Sequence, residues 1–228
     1  MLQLSRFVLA HALVVLPTAL SLTADLRAAV MLSPTAVLGT DMGESPPAGA
    51  LGKMIDQSGL DKPFTSGVTD FDAYFTTGAP PFAQAAAGNN WQSAVDFSLP
   101  VSGFVDFDLG AVRSIDRIAI WNISVKDVTV HVSDTVPTAL QEVASFTLPN
   151  HINFPFSYPH DLLDLGGVRS ARYVRLEIDS VYLFSPSDTF GFAIVGEVVT
   201  SVVPEPASMV AVVAVFGWMA AVRRSRRL

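Results

Sequence analysis

Apolar and polar residues alternate in a series of short runs, and this period of two restricts the fold more than any other feature. Val105, Phe107 and Leu109 would share one face of a strand, and Tyr173–Asp179 alternates in the same way. Residues 30–203 contain no long run with a helical period. Such alternation is typical of half-buried antiparallel strands. The sequence therefore predicts an all-β fold, most economically a two-sheet β-sandwich.

The first 29 residues have a different character. Arg6 precedes an uncharged, mainly apolar stretch, Phe7–Leu22, and small residues that include Ala28 and Ala29 follow it. A basic start, a short apolar segment and small residues near a cleavage point are typical of a secretory signal peptide. Residues 1–29 are therefore predicted to be a signal peptide. A buried core helix or an uncleaved anchor is the alternative.

The C-terminal segment, residues 204–228, is also distinct. Pro204, Glu205 and Pro206 are followed by an uncharged stretch, 207–222, which as a helix would span about 24 Å. This length is slightly less than the roughly 30 Å hydrocarbon core of a bilayer. Because basic residues stay on the cytoplasmic side, the sequence predicts a transmembrane helix that holds an exported domain outside the inner membrane. The basic residues that end the chain are Arg223, Arg224, Arg226 and Arg227.

This tail resembles the PEP-CTERM sorting signal of Gram-negative bacteria, which has a Pro-Glu-Pro triplet, a short transmembrane helix and a terminal arginine cluster in that order. The resemblance implies that an exosortase, an integral-membrane cysteine protease, recognises the tail and cleaves it near the triplet. It also implies an association with exopolysaccharide and biofilm. The protein would be anchored transiently and then reach the cell surface or extracellular matrix. A plain membrane anchor is the alternative.

Charge and composition exclude several classes of protein. Residues 30–203 carry 8 basic and 19 acidic side chains, a net charge of −11. A nucleic-acid-binding domain needs a basic surface, so that class is excluded. The absence of cysteine excludes a disulfide scaffold, a thiolate metal site and a cysteine nucleophile. The sequence also lacks the G-x-S-x-G and H-E-x-x-H motifs, and we expect no enzymatic activity.

Several motifs of the central segment resemble, in the same order, those of discoidin-type domains, the coagulation-factor C-type or galactose-binding-like jelly rolls. They are Trp91-Gln92-Ser93, Phe107-Asp108-Leu109-Gly110, Ile115–Ile118, Trp121-Asn122, Ala171–Leu176 and Ile194–Val198. The resemblance implies a discoidin-like jelly-roll β-sandwich over residues 30–203, with Trp91 and Trp121 in its core. Residues 56–90 depart from the family pattern and resemble an insertion.

The resemblance further implies one structural calcium ion, held by an early loop and by a glutamate of the closing strand, here Glu197. Asp56, Asp70 and Asp72 could supply further carboxylates from the acid-rich first part of the domain. Calcium takes roughly six to eight oxygen ligands on a sharply bent loop, and the spacing of an EF-hand is absent. Alternatively, these aspartates cap turns and remain solvated.

A sugar site is the second candidate. Sugar-binding sandwiches use exposed aromatic rings and a few fixed polar groups, which usually lie on loops at one end. Loop 151–160 concentrates aromatic, histidine and amide side chains, and 182–190 is a similar loop. The alternative is that these aromatic rings pack beneath their own loops. The residues predicted to contact an exopolysaccharide or another glycan are His151, Asn153, Phe156, Tyr158 and Tyr182.

Together these observations predict an exported, non-catalytic module that binds carbohydrate. Two alternatives stay open at this point. One is a secreted polysaccharide hydrolase, although the carboxylate pairs that a chain with this many acids always offers do not by themselves indicate one. The other is a purely structural biofilm protein with no discrete ligand.

Overall fold

The computed structural model describes residues 28–45, 49–86, 88–153 and 156–204. Strands dominate this part of the chain, together with a 3-10 helix, Leu51–Met54, and one short helix, α1. The bounds are β1 Val30–Leu32, β2 Ala36–Thr40, α1 Phe71–Thr76, β3 Phe82–Gln84, β4 Trp91–Gln92, β5 Gly103–Asn122, β6 Val125–Ser133, β7 Gln141–Thr147, β8 Ser157–Val181 and β9 Ile194–Val202. The predicted all-β class is confirmed.

Both predicted targeting segments lie largely outside the described residues. Of the predicted signal peptide, 1–29, only Ala28 and Ala29 are described, and of the tail only Pro204. The predicted transmembrane helix, 207–222, and the arginine cluster therefore have no structural description. Among the residues that are described, no helix is long and apolar enough to cross a bilayer.

Strands β5 and β8 are long enough to take part in two layers. They contain 20 and 25 residues and pair antiparallel along nearly their whole length, with the register shifting near the middle. In one layer the first half of β5 pairs with β2, the second half of β8 pairs with β6, and β6 pairs with β7. In the other layer the second half of β5 pairs with β9 and the first half of β8 pairs with β3. Strand β9 also pairs with β1 and β4. Each long strand therefore passes from one layer to the other.

The main apolar core lies between these two layers. It contains Val105 and Phe107 from the first half of β5, and Ile118 and Ile120 from the second half. Because both halves of one strand contribute to a single cluster, the two layers face each other across it. Trp91 is also fully buried in this cluster, as predicted. The arrangement is the predicted two-layer β-sandwich.

A second apolar cluster covers the outer face of the layer that contains β9. Trp121 and Val199 point into this cluster, and both are fully buried. Phe71 and Tyr74 of α1 pack against them from the segment that the sequence marks as an insertion, 56–90. This layer is consequently covered on both faces, which explains why β9 is buried along almost its whole length. The insertion forms the outer cover of the sandwich.

The course of the long strands defines two ends of the molecule. Since β5 and β8 each fold over in the middle, around Gly110 and Gly166, their first and last residues lie at the opposite end. Hydrogen bonds join the loops at that end: Tyr182 N donates to Ser124 O (2.6 Å), and Ser124 Oγ donates to Phe192 O (2.8 Å). We call it the loop end, and we call the end where both strands fold over the bend end.

Gly196 in β9 makes room for the ring of Tyr158. A Cβ at Gly196 would clash with the Tyr158 hydroxyl oxygen, whereas a Cβ at Gly39 would meet no heavy atom within 4 Å. Gly196→Ala should therefore lower the free energy of unfolding by about 1–3 kcal/mol. The matched variant Gly39→Ala should change it by less than about 0.5 kcal/mol. Urea denaturation measures both values, and equal effects would contradict this packing.

Candidate functional site

The four predicted calcium ligands do not come together. Asp70 caps α1, where its Oδ1 accepts a hydrogen bond from Ala73 N at 2.7 Å. Asp72 forms an ion pair with Arg117, whose hydrogen bond lowers the pKa of the aspartate. The described ranges contain no group of three or more His, Cys, Asp or Glu side chains placed to hold a metal ion. Asp70 and Asp72 therefore have structural partners, and their role as calcium ligands stays a prediction.

Glu197 has different surroundings, because it is buried beneath the loop that contains Asp56. Only 2% of Glu197 is exposed, and its Oε2 accepts a hydrogen bond from Gln57 N at 2.9 Å. Its Oε1 has no hydrogen-bond partner among the described residues. Burial raises the pKa of Glu197 to about 9, and the negative charge of Asp56 adds to this effect. The loop turns sharply at Gln57, which adopts a φ of 59°.

A buried oxygen without a partner beside a bent loop fits one ligand position of the implied calcium site. The carboxylate of Asp56 lies 2.9 Å from Lys53 Nζ, so this aspartate already has a cationic partner. Backbone carbonyl oxygens of the loop would have to complete the coordination. Calcium binding stays a prediction, with Glu197 as its principal side-chain ligand.

We expect calcium to raise the melting temperature through Glu197. Without calcium the pKa of this buried carboxyl lies above its ordinary value of 4.5. The folded state then retains a proton that the unfolded state releases, so stability falls as the pH rises from about 4.5 to about 9. Glu197→Gln should remove this pH-dependent loss and should also abolish the stabilisation by calcium. Scanning calorimetry at about pH 6 and about pH 8, with calcium or with chelator, measures both effects.

Asp72→Asn is the matched control for this experiment. It removes an acid from the same predicted set, but one whose partner is Arg117. The variant should keep the calcium-dependent rise in melting temperature. A wild-type melting curve that does not change at saturating calcium would exclude the site.

The five residues predicted to contact sugar are not all accessible. Asn153 and Phe156 are exposed, Phe156 to 83%. Tyr182 is half-buried, and its hydroxyl donates a hydrogen bond to a backbone carbonyl at 2.9 Å. His151 and Tyr158 are buried, and a buried ring cannot stack on a ligand. The predicted contact set stays a prediction, and its accessible members are Asn153, Phe156 and Tyr182.

His151 belongs to a buried polar network at the loop end. Its Nε2 lies 3.1 Å and 3.2 Å from the two carboxylate oxygens of Asp161, and Asn122 Nδ2 donates to the same carboxylate at 2.6 Å. Burial raises the pKa of Asp161, while its hydrogen bonds oppose that rise. A buried carboxyl is costly unless it is paired. The network therefore ties the loop that follows β7 to β8, and its role is structural.

Three exposed phenylalanine residues form a different aromatic surface at the loop end. Phe97 is 74% exposed, and its ring centroid lies 5.9 Å from that of Phe190. Phe184 is also exposed and stacks on Phe192 with 5.0 Å between the centroids. We call Phe97, Phe184 and Phe190 the phenylalanine rim. The prediction from sequence named the loop of Phe184 and Phe190 but did not include Phe97.

Two concavities lie beside the loop that carries Phe97. The larger has a volume of about 330 Å³, with Lys126 and Ser180 among apolar side chains. The smaller measures about 140 Å³ and includes Asp41 and Asp96. Mostly apolar lining with a few polar groups is typical of small-ligand sites. The apolar residues of the larger groove are Leu99, Pro100, Val101, Val181 and Leu183.

Asp127 holds the polar groups of the larger groove in place. Ser180 Oγ donates to Asp127 Oδ2 at 2.6 Å, and Lys126 Nζ lies 3.5 Å from the same oxygen. Hydrogen bonds from Ser180 and Thr147 lower the pKa of Asp127. A cation and a hydroxyl are thereby held beside the groove before any ligand arrives, which reduces the ordering cost of binding.

Comparison with solved structures finds similar carbohydrate-binding modules. The family 32 module of C. perfringens NanJ, in complex with galactose, has a TM-score of 0.45 at 13% identity and covers 76% of this chain and 97% of that chain. A CBM32 module from a family 31 glycoside hydrolase of Clostridium perfringens gives 0.47 at 11%, with 75% and 90% covered. The family 32 module of Streptococcus pneumoniae EndoD gives 0.47 at 14%, with 75% and 97% covered.

No protein-family model and no curated protein sequence matches the chain. The TM-scores of these three solved modules lie below 0.5. The function of the chain therefore has to follow from its own residues.

Proposed function

We propose that the chain is a non-catalytic domain that binds an exopolysaccharide or another glycan across the phenylalanine rim and the adjacent groove. The observation that carries this proposal is the exposure of three phenylalanine rings on two loops whose residues Leu99 and Leu183 line the larger groove. Aromatic rings present large, rigid apolar surfaces, onto which the apolar faces of sugar rings can stack. Exposed rings of this size are costly in water, and grouped exposed apolar side chains mark interaction sites.

Polar groups of the groove would fix the orientation of the bound sugar. Lys126 and Ser180 lie at the groove wall, where the Lys126 ammonium can donate a hydrogen bond to a sugar hydroxyl and the Ser180 hydroxyl oxygen can accept one. The net charge of −11 over residues 30–203 disfavours anionic polysaccharides unless a divalent cation mediates the contact. Neutral polymers and polymers of amino sugars are therefore the favoured ligand class.

Phe97→Ala should weaken the binding of a neutral or amino-sugar polysaccharide about tenfold, because it removes the most exposed ring of the rim. Phe156→Ala tests the contact loop predicted from the sequence, since it removes an even more exposed ring from loop 151–160. Isothermal titration calorimetry with soluble galactan, β-glucan and chitosan measures the affinities. Loss of binding in Phe156→Ala alone would place the ligand on loop 151–160 instead. Absence of binding by the wild-type chain to any of these polymers would contradict the proposed function.

The same proposal includes export by residues 1–29, transient anchoring by 207–222 and cleavage by an exosortase near the Pro-Glu-Pro triplet. The position of the triplet supports this part. β9 ends at Val202, and Val203 N still donates to Ser114 O at 2.8 Å. The triplet begins at Pro204, the residue directly after Val203. Cleavage there would leave every strand of the sandwich intact.

Intact mass spectrometry of the native protein should show the loss of both termini. The expected mass is that of a chain without residues 1–29 and without the residues that follow the triplet. Glu205→Ala should keep the C-terminal segment, because it alters the triplet, whereas the matched variant Ser225→Ala should be processed normally. A native mass equal to the full 24.3 kDa would contradict both cleavages.

A further inference from the structure

Two turns at the bend end have almost the same sequence. Residues 108–114 read Asp-Leu-Gly-Ala-Val-Arg-Ser, and residues 164–170 read Asp-Leu-Gly-Gly-Val-Arg-Ser. In each turn the aspartate Oδ1 accepts a hydrogen bond from the glycine N, at 2.7 Å and 2.9 Å, and the glycine has a positive φ of 79° or 67°. In each turn the valine, Val112 or Val168, is more than half exposed. We call these segments the twin turns.

The twin turns are neighbours in the structure. The register of β5 with β8 places Arg113 opposite Ala171 and Ser114 opposite Ser170. The two turns therefore present their valines and arginines at the same end of the sandwich. Neither valine belongs to the main apolar core. Core packing therefore does not explain why both turns contain the Val-Arg pair.

The chain leaves the sandwich beside the twin turns. Val203 N donates to the carbonyl of Ser114, and Val30 of β1 pairs with Val202 of β9. The uncharged stretch 207–222 begins three residues after Pro204. Three extended residues span at most about 10 Å. Once this stretch enters a bilayer, the bend end has to lie close to the lipid headgroups.

The distribution of charge favours the same orientation. Arg113 makes no ion pair with any described residue, and the guanidinium of Arg169 donates to a backbone carbonyl. The twin turns contain two aspartates. Asp108 is paired with Arg172, whereas Asp164 has no arginine partner in the described chain. Residues 30–203 as a whole carry a charge of −11, so an anionic leaflet favours the orientation that brings the unpaired Arg113 nearest to it. The arginines on β5 and β8 are Arg113, Arg117, Arg169, Arg172 and Arg175.

We propose that the twin turns contact the anionic phospholipid surface of the membrane that holds the tail. Arg113 and Arg169 lie among the headgroups, Val112 and Val168 reach toward the acyl boundary, and the phenylalanine rim faces away from the bilayer. The inference rests on the proposed anchoring by 207–222. Covalent connection keeps the local concentration of the turns at the surface high, so a weak contact suffices. The contact would also hold the Pro-Glu-Pro triplet at the membrane surface, where an integral-membrane protease acts.

The absence of cysteine allows site-specific labelling of the full chain. Val168→Cys and, as the matched position at the loop end, Ser187→Cys are each labelled with a polarity-sensitive fluorophore. Each protein is reconstituted with vesicles of phosphatidylcholine, with or without phosphatidylglycerol, and vesicle flotation reports anchoring. We expect a blue-shifted emission at position 168 in vesicles that contain phosphatidylglycerol and an unshifted emission at position 187. High salt should reduce the shift, because it screens the arginines.

Charge variants separate this contact from simple proximity. Arg113→Gln and Thr189→Glu each lower the net charge by one, at the bend end and at the loop end respectively. Only Arg113→Gln should reduce the shift at position 168. Flotation with an unshifted label at position 168, or with equal shifts at both positions, overturns the twin-turn contact and leaves the anchoring proposal intact. Failure of the chain to float with vesicles overturns the anchoring, and the membrane contact with it.

Discussion

Continuous pairing of β5 with β8 is the interaction on which the rest of the molecule depends. The two strands stay paired from one layer, around the bend and into the other layer, and they supply the centre of both. Because side chains alternate along a strand, a slip of one residue in this pairing would turn the core residues of both layers outward. The shifts of register fall near the middle of the strands, where the direction changes. The irregularity of the pairing therefore lies at the bend, and each half stays regular.

The cover formed by residues 56–90 determines the chemistry of one layer. It buries the outer face of β9 and thereby removes Glu197 from water, which raises the pKa of that carboxyl to about 9. Asp161 and His151 are buried at the loop end of the same layer, where their polar side-chain atoms pair with each other. The other layer exposes its outer face, where the Asp106–Arg175 and Asp108–Arg172 pairs lie. One fold thus places similar acidic residues in two very different dielectric environments.

The period of two was sufficient to predict the all-β class, because strand formation leaves a local pattern, whereas the burial of Trp91 and Trp121 was predicted from the family resemblance. Accessibility of the loop rings left no such pattern. Tyr158 follows the exposed Phe156 by two residues, but it pairs with Ala83 of β3 and is buried in the outer apolar cluster by segments that are distant in the chain. Phe97 lies on a loop that ends before β5, and its ring lies near that of Phe190, which is distant in the chain. Both outcomes depend on the tertiary position of distant segments, and no local spacing records that position.

The placement of both chain connections at the bend end has an evolutionary consequence. Mutations that diversify the loops at the opposite end would leave the connection of the sandwich to the tail unchanged, so the proposed ligand binding and the proposed export could be selected separately. Replacement of the whole sandwich by another domain with adjacent termini would preserve the route of the tail.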